Sequence, residues 1–223
     1  VQAADSAVII MYHRFGETAY PSTSVTLEQF EAHLGALKDG AYTVLPLPQI
    51  IDSVRQGRPL PARTIGLTID DAFLSVYTQA WPRLKAAGLP FTLFVATEPV
   101  DRNRGGYMNW QQIRELADAG VTIGSQTETH LHMAAADRAR NEKDLANANA
   151  RFFAELGKRP TLFAYPYGEA SLTVAATTRE AGFTAAFGQH SGVIGPARDF
   201  YYLPRFAMNE QYGSADRFKM AVD

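Results

Sequence analysis

The 223 residues carry 21 Lys and Arg against 23 Asp and Glu, a formal charge of −2, so there is no basic surface for a general nucleic-acid or anionic-membrane partner. Cysteine is absent, which excludes disulfides and thiolate metal sites and leaves carboxylates and five His to hold any metal. No apolar run approaches the roughly 18–20 residues of a membrane span, and 46% hydrophobic residues with 17 Gly and 12 Pro suit one large folded domain, expected over residues 1–223.

The chain opens on VQAADSA, small and polar, the kind of stretch left when a signal peptide is removed. Residues 1–6 are expected as a flexible terminus, and the protein as periplasmic or secreted. The first strand is expected over Ala7–Tyr12, the longest apolar run, with His13 at its end. Thr26 and Gln29 form a capping-box pair opening a helix over Leu27–Lys38, where Phe30, Leu34 and Leu37 recur at helical spacing and Gly40 closes. Tyr42–Leu45 and Thr64–Ile69 read as strands, the second running into Asp70 and Asp71, and Arg58–Arg63 reads as a surface connection. A helix over Ser75–Ala87 ends at Gly88, a strand follows over Phe91–Ala96, and Glu98–Tyr107 reads as a loop. Asn109 with Gln112 repeats the capping box ahead of Trp110–Ala119. Strand Val121–Gly124 leads to Gln126, Thr127, His130 and His132, and Asp137 opens a polar helix that runs to Leu156 and stops at Gly157. Strand Thr161–Tyr165 runs into Pro166, Tyr167 and Gly168. Ser171 starts a helix over Leu172–Ala181, strand Thr184–Phe187 precedes His190, and a last strand over Tyr201–Arg205 ends the alternation.

Several of these strands are continuously apolar, the mark of burial on both faces, and their regular alternation with helices predicts a parallel sheet with helices outside. No glycine-rich turn follows an early strand, so a closed or nearly closed β/α barrel is favoured over a doubly wound sheet. In such barrels the chemistry sits at the C-terminal ends of the strands. Four of the five His (His13, His130, His132, His190) fall there, together with Asp70, Asp71 and Arg205, while His33 lies inside a helix and reads as structural.

Adjacent Asp70 and Asp71 project differently from a strand end, so one can ligate a metal while the other acts on a water; a cation or Arg nearby would hold both ionised. The plainer reading is a turn or helix cap. His130 and His132 are available imidazole ligands or, more plainly, loop side chains bonded to backbone. Tyr165, Pro166 and Tyr167 form either a simple turn or a sugar-stacking surface with a backbone N–H facing an oxyanion.

Taken together, Thr68-Ile69-Asp70-Asp71-Ala72, Ser125-Gln126-Thr127-Glu128-Thr129-His130 and Ala164-Tyr165-Pro166-Tyr167-Gly168 resemble, in order, three motifs of the polysaccharide deacetylase family (carbohydrate esterase family 4, the NodB-homology domain). The resemblance runs from about Val8 to Arg205. The MYHRF, WQQIREL and FAYPYGEAS segments are most similar to the branch acting on exported poly-N-acetylglucosamine. It implies a single distorted (β/α)7 barrel and hydrolysis of the N-acetyl groups of a glycan, with a divalent metal, typically Zn²⁺. It further implies Asp70 as general base, Asp71 and His130 as metal ligands, and the Tyr167 backbone N–H as oxyanion donor.

Departures from the pattern are specific. The first metal-binding His is Gln126, a weaker neutral donor, for which His132 or His13 is a candidate substitute. The Arg that steadies the base is replaced by Ala164, and Arg205 is expected to supply its charge. The family's C-terminal Leu-x-His general acid is unmatched, with His13 the first candidate, then His132 and His190. Two readings follow: a metal-dependent deacetylase with an altered ligand set, or a weak or inactive homologue that binds glycans.

Overall fold

The computed structural model describes residues 3–196 and 199–223. Among them a parallel sheet is built from β1 (Ala7–Tyr12), β2 (Thr43–Val44), β3 (Thr64–Asp70), β4 (Thr92–Val95), β5 (Thr122–Ser125), β6 (Leu162–Ala164), β7 (Ala185–Phe187) and β8 (Phe206–Ala207). Its order is β7-β6-β5-β4-β3-β1-β8, with β2 beside the start of β3. The longest ladder joins β1 to β3, from Ala7 opposite Thr64 to Tyr12 opposite Ile69. The sheet curls until Leu203 bridges Phe187 in parallel, while Phe206 and Ala207 pair with Ile10 and Met11 of β1. This is the distorted (β/α)7 barrel expected from the alternation. The distortion lies at the closure. The strand expected over Tyr201–Arg205 is displaced to Phe206–Ala207, with Pro204, which has no N–H to give a ladder, between the two pairings.

The helices start and stop where their caps dictate. α1 (Leu27–Asp39) has both bonds of its Thr26–Gln29 capping box. α2 (Leu47–Arg55) was hidden from the sequence pattern by Pro46 and Pro48, although Leu47, Ile50, Ile51 and Val54 form one buried stripe. The helix expected over Ser75–Ala87 begins as a π-turn, Val76–Ala80, before α3 (Trp81–Ala86). Pro82 has no N–H for the carbonyl four residues back, and the Trp81 N–H reaches to Val76 instead. The expected loop after β4 opens as α4 (Thr97–Asp101). α5 (Trp110–Asp118) carries the Asn109–Gln112 box, and α6 (Arg138–Leu156) runs from Asp137 to Gly157, whose φ of 76° closes it. α7 (Leu172–Glu180) starts on Ser171, and α8 (Ala215–Val222), unforeseen, packs near α1.

The barrel interior is filled by Ile9, Phe94, Leu162, Ala164, Ala185, Phe187 and Leu203, joined by the stripe of α2. α2 can approach because residue 66 is glycine: a Cβ there would sit 2.7 Å from Ile9 Cδ1 and 3.1 Å from Ile50 Cδ1. Alternate residues of β1, β3 and β4, such as Ile10, Leu67 and Leu93, face outward to the layer of α1, α3 and α5. With one end of the interior packed by α2, the polar side chains collect at the other. Of the opening segment expected as a flexible terminus, Ala3–Ala4 pairs with Leu60–Pro61, so Arg58–Arg63 is more than a surface connection and Leu60 is buried.

Candidate active site

β3 delivers Asp70 fully buried, and Arg205 grips its carboxylate in a two-pronged pair: Nη1 donates to Oδ1 at 2.7 Å and Nη2 to Oδ2 at 2.9 Å. Arg205 is itself fully buried, and it also donates from Nε to the Gly188 carbonyl at 2.9 Å and from Nη1 to Thr68 Oγ1 at 3.1 Å. A buried guanidinium is tolerated on such terms, because its charge is paired and four of its five N–H donors meet acceptors. The last barrel segment thus supplies the positive charge that Ala164 cannot. His13, on the residue after β1, brings Nε2 to 3.7 Å from Asp70 Oδ2.

Asp71 turns the other way because its backbone does. Its φ is +78°, and Ala72 (+54°), Thr127 (+70°), His130 (+55°) and Tyr167 (+61°) share the left-handed region. Each such residue costs roughly 1–3 kcal/mol, and the clustering of strain at one site is characteristic of function. The Asp71 N–H donates both to the Phe94 carbonyl at 3.0 Å and to Gln126 Oε1 at 3.1 Å. A backbone N–H requires an acceptor, so the Gln126 amide is oriented with its oxygen on Asp71 and its nitrogen away, and Nε2 is buried without a partner. The expected metal ligand Gln126 thus has one lone pair of its oxygen engaged by backbone and its nitrogen, which does not ligate, turned away.

His130 Nε2 lies 3.1 Å from Asp71 Oδ1. Burial pushes the Asp71 carboxyl up, but the imidazole of His130 and the charges of His13 and Arg205 outweigh it and leave it below the ordinary carboxylate range. Asp71 Oδ1 is buried yet has no well-aligned hydrogen-bond donor. Two donors that share a divalent ion at about 2.0–2.2 Å each stand about 3.0–3.5 Å apart, and the Asp71–His130 separation fits that test. Among the described residues no third His, Cys, Asp or Glu joins them. The pair therefore fits a cation with two protein donors and positions left for water or substrate, rather than a closed zinc site.

The remaining candidates divide. Tyr167 is exposed on the lip, its ring edge-on to His130 at 4.5 Å, and burial, Asp71 and Glu169 raise its hydroxyl pKa. His132 stacks flat on Tyr167 at 3.9 Å and its Nδ1 meets Glu169 at 3.1 Å, and among the described residues it forms no three-ligand group with Asp71 and His130. Tyr165 and Pro166 are corrected as sugar-binding residues. Both are buried; Tyr165 has no exposed surface, its hydroxyl donates to the Tyr201 carbonyl at 2.7 Å, and burial holds its pKa far above the ordinary value. His190 stacks on Tyr202 at 4.3 Å. His33 is the structural residue expected, bonded at 2.7 Å to both the Tyr12 hydroxyl and the Gly213 carbonyl. Sequence reasoning missed Thr68, Gly188 and Glu169 as supporting groups; the T-x-D spacing that places Thr68 on the Asp70 side of β3 was the available signal.

A family model described as polysaccharide deacetylase matches residues 57–186. The poly-beta-1,6-N-acetyl-D-glucosamine N-deacetylase of Staphylococcus aureus (strain MSSA476) is 24% identical over 232 residues, covering 92% of this chain and 80% of its own. The structure of IcaB from Ammonifex degensii superposes with a TM-score of 0.86 at 26% identity, over 99% of this chain and 98% of that one. The Streptococcus pyogenes deacetylase PplD in complex with acetate shares the fold, with a TM-score of 0.89 at 20% identity and full coverage of both chains.

Proposed function

The chain belongs to the polysaccharide deacetylase family, and from that membership we propose that it hydrolyses N-acetyl groups on an amino-sugar polymer outside the cytoplasm, using a divalent cation. The observation that carries this reading is the pairing of Asp70 with Arg205 beside the Asp71–His130 couple at one barrel end. Asp70, oriented by Arg205, retains a lone pair on each oxygen and takes a proton from the attacking water. Asp71 and His130 would hold the cation, which when bound supplies Lewis-acid polarisation of the acetamide carbonyl. The Tyr167 backbone N–H faces the oxygen on which negative charge develops, and the Tyr167 ring borders the sugar. His13, near Asp70, delivers the proton that lets the amine leave as the C–N bond breaks, giving acetate and a free amino sugar. No helix among the described residues is long and apolar enough to cross a membrane.

The test is acetate release from N-acetylglucosamine oligomers by the parent protein and by Asp70→Asn. Release that falls about a hundredfold or more in the variant supports the general base, a role that contributes roughly 10²–10⁴; equal release in both sinks it. A second reading, a glycan-binding homologue with little turnover, is favoured by one observation, the commitment of Gln126 to backbone. Oligomer binding without acetate release from the parent would select it.

A further inference from the structure

The loop that carries His130 is held from behind by a helix that takes no part in the chemistry. Asp144, in the interior of α6 and 2% exposed, turns its carboxylate to that loop. Its Oδ2 accepts from the backbone N–H of Glu128 at 3.1 Å, from that of Thr129 at 2.9 Å and from the Thr129 hydroxyl at 3.0 Å. The loop's other edge is held by α4, where the N–H groups of Thr97 and Glu98 donate to the Thr127 and Glu128 carbonyls at 3.2 and 2.8 Å. Arg140, the cation near Asp144, stands at 3.6 Å and is half exposed, so the loop supplies the close donors.

Two unfavourable features meet here. A buried carboxylate is costly unless its charge is met by donors, and a loop with Thr127 and His130 at positive φ persists only where its surroundings over-determine it. Each satisfies the other. We propose that Asp144 is a positioning residue for His130: it fixes the backbone of residues 128–130 and so aims the imidazole at Asp71. The proposal rests on reading His130 as a cation ligand, and it gives α6 a role that its place on the outside of the barrel does not suggest. Asp144→Asn would keep the shape and one oxygen for the two N–H donors but lose the charge that strengthens those bonds.

The experiment uses Asp144→Asn and Thr129→Val, the latter removing only the hydroxyl's bonds to the carboxylate. Amide hydrogen exchange is followed in cation-free protein, and Zn²⁺ affinity is measured by competition with a chromogenic chelator. In Asp144→Asn, exchange at Glu128 and Thr129 should quicken at least about tenfold while β1 and β3 stay protected, and Zn²⁺ affinity should fall about 10–100-fold, as for other groups that orient a ligand. Thr129→Val should move both in the same direction by a smaller factor, and it decides the matter if Asp144→Asn does not fold. Unchanged exchange at residues 128 and 129 overturns the proposal, as does faster exchange with unchanged Zn²⁺ affinity. If the parent binds no Zn²⁺, the cation reading fails by itself, and the exchange rates still decide whether Asp144 fixes the loop.

Discussion

Gln126 presents its side-chain oxygen to the backbone N–H of Asp71 across 3.1 Å, at the position where the family motif has a metal-binding imidazole. The residue that departs from the pattern has thus become part of what holds Asp71 in its left-handed conformation. Replacing it tests what was exchanged. Gln126→His restores an imidazole nitrogen as a third donor beside Asp71 and His130, and Zn²⁺ affinity should rise at least about tenfold, or about 1.4 kcal/mol. Titration with Zn²⁺ reads this directly, and an unchanged affinity would mean that position 126 does not face the cation.

Arg205 and Asp70 are both fully buried and grip each other through two bonds. Removing one partner leaves the other charge unpaired in the interior, which costs about 3–5 kcal/mol. Arg205→Met should lose stability on that scale in urea unfolding and lose acetate release as well. A loss below about 1 kcal/mol would show that water or His13 compensates Asp70.

His33 is buried between the Tyr12 hydroxyl and the Gly213 carbonyl and stacks on Phe218 of α8 at 4.2 Å. Burial, only partly opposed by the bond to Gly213, lowers its pKa from 6.5 to about 4. The unfolded chain therefore binds a proton that the folded protein refuses. The resulting stability is complete above the unfolded pKa and is lost as pH falls from about 6.5 to about 4, amounting to about 3 kcal/mol over that span. Unfolding measured from pH 7 to pH 4.5 should show a steeper loss for the parent than for His33→Phe. Parallel pH profiles would count against His33 as the source.

Tyr165 and Tyr167 are two residues apart and should behave as different kinds of residue. Tyr165→Phe strands the Tyr201 carbonyl in the core and should cost about 1–3 kcal/mol of stability with the KM for glycan oligomers unchanged. Tyr167→Ala should raise that KM and leave stability within about 1 kcal/mol, since the ring is half exposed. The reverse pattern would place the sugar elsewhere.

Much of this was legible in the chain. Ala7–Tyr12 and Thr64–Asp70 declare themselves because strands buried on both faces are continuously apolar, and the Thr26 and Asn109 capping boxes mark their helices by spacing alone. Asp70 with Asp71, and Arg205 as the replacement charge, could be named because strand ends point the same way in a barrel. What stayed hidden depended on backbone geometry or on partners distant in sequence. Nothing in SQTETH shows that Gln126 faces the Asp71 N–H, nor that Asp144, on the next helix, holds the His130 loop. Tyr165 misled because an aromatic beside a turn can face core or solvent, and only the path of residues 199–203 settles which. α2 was missed because its two prolines read as a break, although Pro is tolerated in a first helical turn.

The central claim is that Asp71 and His130 hold a divalent cation on which deacetylation by Asp70 depends. The most direct test is acetate release from N-acetylglucosamine oligomers by the parent protein before chelation, after removal of divalent cations, and after Zn²⁺ is returned, with His130→Ala alongside. The account predicts that release disappears on chelation, returns with Zn²⁺ in the parent, and does not return in His130→Ala. Release that survives chelation, or that Zn²⁺ restores equally without His130, would contradict it.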